Sequence, residues 1–106
     1  MSVRAYFYYL QFRVKRDEGA LGSLLRIKED DEVIERCKYS ALMFHDEYGK
    51  AYDTLSGKYQ PYCARHKMYA ALRLGDAEKM KASICDMTGP YQIATLDILT
   101  IFECFK

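Results

Sequence analysis

The sequence predicts a small α+β domain in which the two ends of the chain form a sheet of two or three strands packed against about three helices. Three observations carry this reading. Residues 3–14 and 91–105 alternate with period two and are rich in aromatic and β-branched side chains. Between them, apolar residues step by three and four, the period of a helix. Glycine and proline fall where those patterns change.

In the first segment the even positions Tyr6, Tyr8, Leu10, Phe12 and Val14 are all apolar or aromatic. The odd set turns from Ala5, Phe7 and Tyr9 to Gln11, Arg13 and Lys15. Such a strand buries one face fully and the other in part. Residues 17–28 suit either a short helix or a strand folding back on the first. From Asp31 to Leu55 the residues Ile34, Cys37, Ala41, Phe44, Tyr48, Tyr52 and Leu55 form one helical stripe. The acids at 29–32 suit its first turn, where the helix dipole favours negative charge. A rival reading turns a hairpin at Glu47–Lys50, because Gly49 inside a helix costs about 1 kcal/mol. That order, βαββαβ, would be ferredoxin-like. The single long helix is the preferred reading.

A second helix is expected from Pro61 to Leu74, with proline in its first turn and Gly75 as its stop. A third starts at Asp76 as N-cap and runs through Met80 and Ile84 to Met87. The last strand carries Ala94, Leu96, Ile98, Thr100, Phe102 and Cys104 on one face. Asp97 lies on its other face, where Arg13 of the first strand offers a cross-strand ion pair. The expected core is Tyr8, Leu10, Phe12, Leu96, Ile98 and Phe102. At 106 residues the chain fits one domain, 1–106.

Net charge +1 conceals a strong asymmetry. Residues 29–47 hold seven acids against two bases, and residues 48–74 hold five bases and five of the ten tyrosines against Asp53 alone. Opposed charge blocks with interleaved aromatics present an oriented, adhesive surface. Tyr59, Tyr62, Arg65 and His66, with Lys50 and Lys67, are the expected partner-binding residues, since tyrosine and arginine dominate binding hot spots.

Catalytic and metal chemistry find little support. Cys63 and His66 lie three apart and could face one ion with Cys37 and His45, but structural zinc sites show two close ligand pairs and here there is one. No glycine-rich elbow surrounds Cys63 or Cys85 to activate a thiol with His45 or His66. Phosphate-loop, dinucleotide, zinc-protease and calcium-loop motifs are absent from the sequence. No metal, cofactor or enzymatic activity is expected.

The four cysteines carry no CxxC pair and no secretory leader precedes them, so free thiols in the cytoplasm are expected. No run of residues is long and apolar enough to span a bilayer. The function expected is stoichiometric binding to a protein partner by an adaptor, an assembly subunit or an inhibitor of the phage or mobile-element kind. The alternative is a nucleic-acid-binding module built on 48–74, which the acidic block beside it and a pI near 7.6 disfavour. Exposed strand edges predict a homodimer.

Overall fold

The computed structural model describes residues 3–29, 31–56 and 62–85, and all regular secondary structure over those residues is helical. Six helices follow one another: α1 (Val3–Lys15), α2 (Glu18–Leu25), α3 (Glu32–Phe44), α4 (Tyr48–Thr54), α5 (Tyr62–Leu74) and α6 (Ala77–Cys85). No strand occurs among the described residues. This overturns the α+β class, and with it both the terminal-strand sheet and the ferredoxin-like alternative. The second expected strand, with Asp97 and the core residues Leu96, Ile98 and Phe102, lies outside the described residues.

The first segment is a helix because its apolar residues also fit a period of 3.6. Ala5, Tyr8, Tyr9 and Phe12 stand at i, i+3, i+4 and i+7, which is one helix face. Ala5 and Phe12 are buried, and Tyr8 and Tyr9 pack on the same cluster. Leu10, expected in the core, is 42% exposed instead. Arg13 and Lys15 in the last turn favour the helix through its dipole.

Aspartates start three of the helices. Asp17 Oδ1 accepts from the Ala20 amide at 3.2 Å to cap α2. Asp31 Oδ1 accepts from the amides of Val33 (2.8 Å) and Ile34 (3.3 Å) to cap α3. Asp76 Oδ1 accepts from the Lys79 amide at 3.1 Å to cap α6, as the sequence predicts. α4, a helix of seven residues, has no side-chain cap.

Left-handed residues stop three helices. Gly75, at φ 72°, ends α5 in a Schellman arrangement: its amide reaches the Leu72 carbonyl and the Asp76 amide reaches that of Ala71. Asp46, at φ 61°, ends α3 in the same way, through Asp46 N–H to Met43 (3.1 Å) and Glu47 N–H to Leu42 (2.9 Å). Arg16, at φ 57°, ends α1 with one bond from its amide to the Phe12 carbonyl. The expected helix 31–55 is therefore two helices broken at His45–Glu47. The hairpin reading fails too, since α4 stands where its second strand would be.

The chain divides into two compact units, Met1–Leu55 and Ser56–Lys106. In the first, α2 and α3 pack on α1, and α4 packs on α3. Its core holds Ala5, Phe12, Ala20, Leu21, Leu24, Ile27, Ile34, Cys37 and Ala41. Phe12 and Phe44 meet edge to face at 5.7 Å, and the guanidinium of Arg13 lies 4.3 Å from the Phe44 ring centre. The Lys38 ammonium donates to the Ile27 carbonyl, tying α3 to the loop after α2. His45 Nε2 lies 3.1 Å from Glu18 Oε1, joining the end of α3 to the start of α2. In the second unit α5 packs on α6, and Cys63, Ala64, Met68, Ala70, Ala71, Met80, Ser83 and Ile84 are buried. Small alanines let two helices approach closely.

Two consequences are measurable. Phe12→Ala should destabilise the fold by about 3–5 kcal/mol, whereas Leu10→Ala should cost about 1 kcal/mol or less. Equal losses in denaturant melts would restore the strand reading of residues 3–14. Burial raises the Asp31 carboxyl, and the hydrogen bonds from the Ile34 and Val33 amides are among the interactions that bring it below the ordinary 3.8. A lowered folded value contributes stability above the unfolded value and loses it as pH falls through the folded one. Asp31→Ala should thus melt below wild type at neutral pH, with the gap closing in acid below 3.8. A gap that stays constant down to pH 2 would refute the capping role.

Candidate functional site

α1 is apolar on two sides. Its inner side feeds the core through Ala5, Tyr8, Tyr9 and Phe12. The other side carries Val3, Tyr6, Phe7, Leu10 and Val14, at i, i+3, i+4, i+7 and i+11. Their exposures are 72%, 53%, 56%, 42% and 76%. Together they make a strip about 17 Å long, from the rise of 1.5 Å per residue. Its exposed area is on the order of a few hundred Å², a size at which apolar patches mark interaction surfaces. Isolated exposed apolar residues are ordinary; five aligned on one helix face are not.

Basic residues border the strip. Arg4 stands beside Phe7 and reaches Glu29 at 3.7 Å. Arg13, on the opposite border, donates to the Tyr9 hydroxyl at 2.7 Å and lies over Phe44, so its guanidinium is held in place. Lys15 follows at the end of the helix and is exposed. Beyond Tyr6 the strip continues into a groove of about 250 Å³ between α1 and α3, lined by Tyr6, Tyr9, Val33, Arg36, Cys37 and Ser40.

The groove has no nucleophilic chemistry to offer. Cys37 is 7% exposed, and burial raises its thiol pKa, with the negative charge of Asp31 adding to the effect. An activated cysteine needs the reverse, a lowered value. Among the described residues, no three His, Cys, Asp or Glu side chains gather as a metal would require.

The residues expected from the sequence to bind a partner are distributed over both units. Lys50 lies on α4 in the first, exposed and 3.4 Å from Glu47 Oε1. Arg65, His66 and Lys67 lie half-buried on α5 in the second, where the His66 ring meets Tyr69 edge-on at 6.2 Å. Tyr62 opens α5, and Tyr59 lies outside the described residues. Of the four ligands considered for zinc, Cys63 is buried on α5 near His66, while Cys37 and His45 belong to the first unit.

The strip on α1 escaped sequence reasoning for a specific reason. The apolar residues of 3–14 divide into two helical sets, 5-8-9-12 and 3-6-7-10-14, and between them the two sets account for every apolar position. A doubly apolar helix read along its sequence resembles a strand with one buried and one half-buried face. The signal that distinguishes them is that both sets obey the 3-and-4 spacing without a gap.

Cys37 should react slowly with iodoacetamide in the native protein, at least tenfold more slowly than after unfolding. Equal rates would show that the groove opens to its base. No helix among the described residues is long and apolar enough to cross a membrane. Set against family models, curated proteins and solved structures, the chain matches none of them.

Proposed function

We propose that this chain is a non-enzymatic binding protein that acts stoichiometrically, as adaptor, inhibitor or assembly subunit, on a protein partner seated against the outer face of α1. The observation that supports it most is the strip Val3, Tyr6, Phe7, Leu10 and Val14. These side chains stay in water although the same helix already satisfies the core with its other face. Covering them would remove apolar surface from water, the main driving force of association. Tyr6 and Phe7 supply large contact area with few rotatable bonds, which keeps the ordering cost low.

The borders of the strip bear on the partner's nature. Arg13 and Lys15 favour a surface whose rim is acidic and whose centre is apolar. A second copy of the chain would set basic borders against basic borders. The homodimer expected from strand edges also loses its basis in 3–14, which is a helix. A cytoplasmic setting suits the buried free thiols of Cys37 and Cys63. Nucleic acid would call for cations rather than an apolar strip at the contact.

The test is crosslinking in the source cells, with captured proteins identified by mass spectrometry. Phe7→Ser combined with Leu10→Ser should leave the melting curve nearly unchanged and abolish capture, each truncation costing over 1 kcal/mol of affinity. A parallel Tyr62→Ala and Arg65→Ala variant tests α5. Capture lost there and kept in the α1 variant would move the docking surface to the second unit.

A further inference from the structure

A cleft at the junction of α1 and α2 brings together more unspent donors than a structural role needs. Arg4 and Tyr8 of α1, Ser23 of α2, and Arg26 and Ile27 just beyond α2 line a space of about 270 Å³. Ile27 is buried, Tyr8 and Ser23 are half-buried, and Arg26 is exposed. Among the described residues, neither the Tyr8 hydroxyl, the Ser23 hydroxyl nor the Arg26 guanidinium has a hydrogen-bond or ion-pair partner. Arg4 is engaged only by Glu29, at 3.7 Å and with both side chains more than half exposed, so little is lost when that contact opens.

From this convergence we infer that the cleft is a receptor for a phosphoryl group carried on a small ester. Two guanidiniums present up to ten N–H donors in planar forks, and two hydroxyls add a donor each. The three terminal oxygens of a dianionic phosphoryl group match such a set, whereas a carboxylate would leave donors unused. The volume exceeds that of the anion alone, which leaves room for the atoms that bear it.

A glycine makes the arrangement possible. A Cβ built at Gly22 would lie 3.0 Å from Arg26 Nη2. The guanidinium thus folds back over the bare backbone of α2 at Gly22. An alanine at 22 would displace it by a few tenths of an ångström. Because the obstructed atom is the end of a flexible side chain, and alanine favours a helix more than glycine does, the fold would not suffer.

Amide shifts in nuclear magnetic resonance, followed at constant ionic strength, read the site directly. Inorganic phosphate and phosphoserine should give saturable shifts at Ser23, Arg26 and Ile27, and acetate should bind at least tenfold more weakly. Phosphoserine binding more tightly than inorganic phosphate supports a phosphoryl group carried on a small ester; equal affinities would overturn the ester and leave free phosphate. Arg26→Ala should weaken phosphate at least tenfold with no fall in melting temperature, Gly22→Ala should weaken it less, and Glu29→Gln should tighten it by freeing Arg4. Shifts that fail to saturate, acetate binding as well as phosphate, or unchanged affinity in Arg26→Ala would each overturn the assignment.

Discussion

Phe12 is the contact on which the first unit depends. It is 1% exposed, and it meets two rings from the end of α3: Phe44 edge-on and His45 at a tilt, both at 5.7 Å. The Phe44 ring is covered in turn by the guanidiniums of Arg13 and Arg16, at 4.3 and 4.7 Å. Each aromatic pair contributes about 0.5–1.5 kcal/mol beyond simple burial, and each exposed cation–ring contact about 0.5–1 kcal/mol. Their geometric effect matters more. Once Phe12 is fixed, α1 cannot rotate about its axis, and every residue of the outer strip is fixed in orientation with it.

The arginine at 16 has two roles in this junction. Its backbone closes α1 in the left-handed region, a conformation that costs a non-glycine residue on the order of 1–2 kcal/mol. Its side chain lies on Phe44, which partly offsets that cost. The turn from α1 to α2 is thus specified by a side-chain contact made across the unit, where many proteins would specify it locally with glycine.

Local signals were readable where chemistry is local. Asp76 as N-cap and Gly75 as stop define the joint between α5 and α6 in the sequence as in the structure, and the stripe from Ile34 to Phe44 is α3. What could not be read depends on contacts far apart in the chain. The stop at Asp46 carries no glycine, so a stripe running on to Leu55 looked continuous. The aromatic and branched residues of 3–14 carry strand propensity that tertiary packing overrides, since Ala5 and Phe12 find their partners on α2 and α3. The candidate site was hidden by the same error: in a strand reading Tyr6 and Leu10 face inward. The charge blocks point to 48–74, whereas Lys50 in that stretch lies beside Glu47 of the acidic one.

An open apolar strip on a chain of net charge +1 has a colloidal consequence. Molecules so close to electrical neutrality repel one another weakly, and nothing long-ranged keeps their strips apart. These five side chains then lower the solubility ceiling of the uncomplexed protein. On the proposed reading, the tolerable abundance of the chain in a cell would follow that of the partner that covers α1.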